Sequence, residues 1–103
     1  MNLNEASQWA IENSKKRNQY KNDGDDVMRC LKHCAGEVIE AMSAYGNWCN
    51  EDYTTTKEDF ENELADVIIC ILSVSGSEGI DIEQAISRKM LINEGSAKNG
   101  LCQ

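Results

Sequence analysis

The sequence predicts an all-α bundle, on three observations. Proline is absent from its 103 residues. No segment alternates apolar and polar residues as a half-buried strand would. Two long stretches instead repeat apolar residues at the four-three spacing that lines one face of a helix. A chain of this length forms one domain around a single small core.

Leu3, Ala6 and Ala10, with Trp9 beside them, mark a first helix over roughly residues 4–18, and Trp9 is assigned to the core. Its basic end, Lys15, Lys16 and Arg17, reads as a solvated helix terminus facing the dipole. Asn22, Asp23, Gly24 and Asp25 supply loop chemistry, and Asp25 or Asp26 caps the second helix. Along that helix Val27, Leu31, Cys34, Val38, Ala41 and Tyr45 share one seam, and Gly46 with Asn47 end it. A capping box, Thr55 with Glu58 or Thr56 with Asp59, opens a third helix. Phe60, Leu64, Val67, Ile71 and Val74 form its seam, and it runs to about Ser75.

The run Val67 to Leu72 has the β-branched content of a buried strand, but no other segment offers it a partner. A helix that is apolar all round suits the middle of a bundle or an oligomer, so a homodimer or a dimer of dimers is expected. Gly76 and Gly79 break the chain. Asp81, with Gln84 three residues on, caps a fourth helix that carries Ile82, Ala85, Ile86 and Met90 and ends near Asn93. The polar segment from Glu94 to Gln103 is expected to be mobile or ordered by ligand. The organisation is therefore a helical domain over residues 1–95 and a flexible tail over 96–103.

Eighteen acids against ten bases give a net charge of −8. Such a field repels phosphate backbones and anionic lipid, so neither nucleic acid nor a membrane surface is an expected partner. The longest apolar run falls far short of the roughly 20 residues that span a bilayer. Asn4, Glu5, Gln8 and Glu12 occupy the stretch where a secretory leader would be apolar, which predicts a cytoplasmic protein. Five cysteines and a single histidine, without a CxxC pair, fit neither a zinc site nor a disulfide framework. Free thiols packed as small hydrophobes are expected.

Acids three apart on a helix share a face, and five such pairs occur: Asp23/Asp26, Glu37/Glu40, Glu58/Glu61, Glu63/Asp66 and Glu78/Asp81. Most read as solvated surface. Glu37/Glu40 and Glu63/Asp66 differ because each adjoins an apolar seam at mid-helix. Packing the two seams together gathers four carboxylates, which repel unless a cation joins them. All-oxygen ligation favours Mg²⁺, or Mn²⁺, over zinc or copper. A di-iron bundle would need an ExxH motif, and His33 has Cys30 three residues before it.

GEVIE at 36–40, ELAD at 63–66, then Lys89 and Asn93 together resemble the MazG-like all-α nucleotide pyrophosphohydrolases. The likeness extends over roughly residues 5–95 and includes the closing segment GIDIEQAISRKMLIN. The resemblance implies a four-helix MazG-like bundle with Glu37, Glu40, Glu63 and Asp66 as ligands of Mg²⁺ or Mn²⁺. It assigns Lys89 to the phosphates and Asn93 to the end of the last helix. The implied reaction converts a ribo- or deoxynucleoside triphosphate to monophosphate and pyrophosphate by metal-activated attack of water at the α-phosphorus. Two positions depart from the family pattern, since Gly36 replaces a glutamate and Ser96 an arginine that Lys98 or Arg88 would have to replace. These departures support an alternative, a catalytically inactive nucleotide-binding or protein-interaction module on the same bundle. Trp48 is open to two roles, stacking on a nucleobase or ordinary packing.

Overall fold

A computed structural model describes residues 1–50 and 54–98, without the side chains of 97 and 98. Four helices follow in order: α1 Leu3–Lys16, α2 Asp26–Cys49, α3 Lys57–Ser77 and α4 Ile82–Lys98. The architecture is all-α, with no strand among the described residues.

Local chemistry sets the helix starts. The Asn2 side chain accepts from Glu5 N at 2.8 Å and caps α1. Of the two candidate boxes before α3, Thr56 and Asp59 form the real one: Thr56 N donates to Asp59 Oδ2 at 2.7 Å, and Asp59 N donates to Thr56 Oγ1 at 3.2 Å. Asp81 Oδ1 accepts from Gln84 N at 3.1 Å, as expected for α4. Gly79 takes φ +65° in the turn after α3, a conformation that favours glycine.

α3 is the central element, with α2 packed on one side and α1 on the other. Buried Cys34 of α2 lies against Val67 and Cys70 of α3, and Ala41 lies by Phe60 and Leu64, while Ala10 and Ile11 are the buried residues of α1. The α1 face differs from the expected one. Ser7, Ala10, Ile11 and Ser14 point inward, whereas Trp9 is 55% exposed. The cause is close approach. Gly76 lies inside α3, rather than breaking the chain, and a Cβ there would stand 2.5 Å from the Ser7 carbonyl oxygen. No indole fits between backbones that near. Ser75 and Ser73 instead face Ser7 and Ser14 at 2.6 and 3.0 Å. Ser73 and Ser75 also lie within hydrogen-bonding distance of the carbonyls of Ile69 and Leu72, so each serine pair continues onto the α3 backbone.

Two helix ends also differ from expectation. Gly46 and Asn47 are helical and α2 continues to Cys49, where Tyr45 and Trp48 pack with Phe60 of α3. α4 continues past Asn93 through residues 94–98, the first part of the expected tail, while 99–103 lie outside the described residues.

α4 stands apart. It touches the remainder chiefly through the start of α1, where Asn4 bonds Asp81 Oδ1, Glu83 Oε1 and Ile82 N. The radius of gyration is accordingly 16.3 Å, against about 13 Å for a closely packed chain of 100 residues. Met90 and Leu91 of α4 are well exposed, as are Ile39, Met42 and Ile68 of α2 and α3. No helix among the described residues is long and apolar enough to cross a membrane.

Candidate metal centre

The seams of α2 and α3 bring Glu37 against Glu63 and Asp66. One carboxylate oxygen from each lies within 4.8 Å of the other two. Glu37 comes from mid-α2, while Glu63 and Asp66 sit three apart on one face of α3, as their spacing requires. Glu40, one turn beyond Glu37, is exposed and outside that set, yet its charge still bears on Glu37.

Glu37 is half-buried, and its carboxyl is held above its ordinary value of 4.5. Burial is the main cause, followed by the charge of Glu40, with His33 opposing and then Asp66 and Glu63 adding to it. His33 Nε2 stands 3.2 Å from Glu37 Oε1 and orients that side chain. The other Glu37 oxygen, Oε2, is shut off from solvent and has no hydrogen-bond donor among the described residues. Glu63 Oε2 is in the same condition. Buried carboxylate oxygens without donors are costly, and a hard divalent cation supplies what they lack. The residues present therefore fit Mg²⁺ or Mn²⁺.

Glu37 and Asp66 also form one wall of a cavity of about 340 Å³ between the end of α1, the 17–21 segment, α2 and α3. Arg17, Lys21, Arg29 and His33 line it as well. Arg29 is already paired with Asp23 and Asp26, so Arg17 and Lys21 are the lining cations beside these acids, a combination that suits a ligand that carries anionic groups and arrives with a metal. The other expected ligand contacts are not gathered here. Lys89 is exposed on α4, Asn93 is half-buried on the same helix, and neither lines the cavity. Trp48 stacks on Phe60 with ring centroids 5.8 Å apart and does not line the cavity. The Lys98 side chain lies outside the described residues.

Sequence reasoning missed two participants. His33 carried a usable signal, its i,i+4 spacing to Glu37. The other is Asp26, grouped with solvated acids but buried. Its carboxylate accepts from Lys21 N at 2.8 Å, from Asp23 N at 3.1 Å and from Arg29 Nη1 at 2.8 Å, which fixes the cavity rim. Those bonds, the Lys21 amide first and then Arg29, hold its carboxyl below the ordinary 3.8. A carboxyl with a lowered native pKa adds stability that is present above 3.8 and lost as pH falls through the native value. Asp26→Asn should therefore lower the melting temperature at pH 7, with the gap to wild type closing below pH 3.8. Calorimetry across that range would contradict this if the gap were constant with pH.

Comparisons with protein families, with curated proteins and with solved structures each return no match.

Proposed function

We propose that this chain is a Mg²⁺-dependent nucleotide pyrophosphohydrolase that converts a nucleoside triphosphate to the monophosphate and pyrophosphate. The observation that carries the reading is the set of three clustered carboxylates with two buried oxygens lacking donors, of which Glu37 and Asp66 line a cavity that Arg17 and Lys21 also line. The residue pattern shared with the MazG-like enzymes supplies the reaction class. A volume of about 340 Å³ falls at the lower end of small-ligand sites, roughly 300–1,000 Å³.

Glu37, Glu63 and Asp66 would hold the cation, and Glu40 adds negative charge beside them. The ion supplies charge neutralisation on the phosphates and an acidified water. His33 keeps Glu37 oriented, while Arg17 and Lys21 offset the repulsion that a net charge of −8 would otherwise exert on a polyphosphate. The oxygen of water bonds to the α-phosphorus, the bond to the α,β-bridging oxygen breaks, and pyrophosphate leaves with that oxygen.

The active form in this reading is a homodimer or a dimer of dimers. Val38, Met42, Tyr45, Phe60, Leu64 and Val67 line an open, almost wholly apolar groove on α2 and α3, and α4 carries apolar residues with no cover within the chain. A second reading, a nucleotide-binding module without turnover, is favoured by Lys89, which stands away from the cavity wall.

The two readings separate in one assay. With Mg²⁺ and a panel of triphosphates in ¹⁸O-water, label should enter the nucleoside monophosphate and be absent from the pyrophosphate. Sedimentation of the same sample should give at least twice the 11.5 kDa chain mass. Label in pyrophosphate, or diphosphate with orthophosphate as products, would refute the assigned bond cleavage. Nucleotide binding without turnover would select the second reading.

A further inference from the structure

Outside the acidic cluster, the floor of the same cavity holds an unassigned pair of thiols. Cys30 on α2 and Cys70 on α3 bring their sulfurs to 3.8 Å. They are locked face to face by reciprocal bonds, Cys30 Sγ donating to Cys70 O at 3.6 Å and Cys70 Sγ to Cys30 O at 3.4 Å. Both line the cavity, Cys30 half-buried and open to a small molecule, Cys70 buried behind it. Cys34, one turn along α2, is buried, bonds toward Val67 O at 3.9 Å and does not line the cavity.

We propose that Cys30 and Cys70 are a modification site, a dithiol that a hydroperoxide converts to a reversible intrachain disulfide bridging α2 and α3. Cys30 reacts first because it is the more exposed of the two thiols that line the cavity. Its sulfur takes one peroxide oxygen as the O–O bond breaks, giving a sulfenic acid and water or an alcohol. Cys70 then attacks that sulfur. The S–S bond forms, the Cys30 S–O bond breaks, and the hydroxyl leaves as water with the Cys70 proton. Burial, then the neighbouring thiols, push the Cys70 thiol up to about 12, which makes it the less reactive of the two toward peroxide and means that its proton has to pass to the departing hydroxyl as the S–S bond forms. Two electrons pass from the thiols to the peroxide, and a thiol reductant returns them.

Closing the bond brings the sulfurs from 3.8 Å to about 2.05 Å. The pull falls on the helices that carry the carboxylates: Asp66 lies one turn before Cys70, and Glu37 two turns after Cys30. The chemistry of the pair does not depend on the proposed hydrolysis.

The test treats the folded full chain with hydrogen peroxide, then alkylates it under denaturing, non-reducing conditions. Untreated protein should take five labels, one for each cysteine. Oxidised protein should take three, five less the bridged two, with a Cys30–Cys70 linked peptide found by mass spectrometry. Dithiothreitol should restore all five. Cys34→Ser should leave the link unchanged, and Cys30→Ser should remove it. Retention of five labels, a sulfenic acid on Cys30 without the link, a Cys34–Cys70 bridge, or loss confined to Cys49, Cys102 or links between chains would each overturn the proposal.

Discussion

Gly76→Ala should lower the melting temperature by roughly 10–20 °C, an effect of about 2–3 kcal/mol in a domain of this size. The added methyl would sit 2.5 Å from the Ser7 carbonyl oxygen and 2.9 Å from Ile11 Cγ2, and the first neighbour is backbone that cannot rotate aside. α1 must move away, which separates both serine pairs and opens the space around Ile11. Gly46→Ala is the matched control. That glycine is also helical, and nothing lies within 4 Å of its Cβ position. Relief of backbone entropy should stabilise the control by about 0.5–1 kcal/mol. Thermal unfolding of both variants by circular dichroism decides the matter, and a Gly76→Ala midpoint within a few degrees of wild type would show that α1 does not approach α3 as described.

Asp66→Asn should reduce Mg²⁺-dependent hydrolysis by about 10²-fold or more, because displacing a reacting group by an ångström is enough for such a loss. Asp66 is the informative ligand, being the exposed member of the cluster, so its side chain contributes little to the core. In chelator the variant should melt at or slightly above the wild-type temperature, since one of the charges raising the Glu37 carboxyl is gone. Added Mg²⁺ should raise the wild-type midpoint by binding only the folded cluster, and should leave the variant nearly unmoved. Activity within threefold of wild type would remove Asp66 from the site. The absence of any metal response in the wild type would remove the site itself.

The helices were legible because apolar spacing and capping residues are local properties. Val27 to Tyr45 and Phe60 to Val74 each trace one face, and the two candidate capping boxes at Thr55 and Thr56 mark the start of α3 to within one residue. The carboxylate cluster was legible in part for the same reason, since two seams that pack together must bring their flanking acids into proximity. What escaped depends on pairs of elements. Ser7, Ser14, Ser73 and Ser75 are polar and count against burial until each is matched with a partner 59 or 68 residues away. Gly76 reads equally as a helix breaker or as a contact point, and only the proximity of α1 distinguishes them. Asp26 resembles any surface acid until the chain turns Lys21 N and Asp23 N toward it. The apolar residues of α4 establish that it has a face to bury, and carry no information on which surface receives it.

The paired serines give α1 a register. An interface of alkyl side chains tolerates a slide of one turn, because apolar contact is non-directional and nearly as good after the shift. Here a slide would carry Ser7 and Ser14 off their partners and leave two buried hydroxyls unmatched, at about 1–3 kcal/mol each. Ser73 and Ser75 would lose less, since the carbonyls of Ile69 and Leu72 stay within their reach. The penalty for misalignment therefore falls on the helix that docks across the longest stretch of chain, and the two hydroxyls act as teeth that admit a single setting.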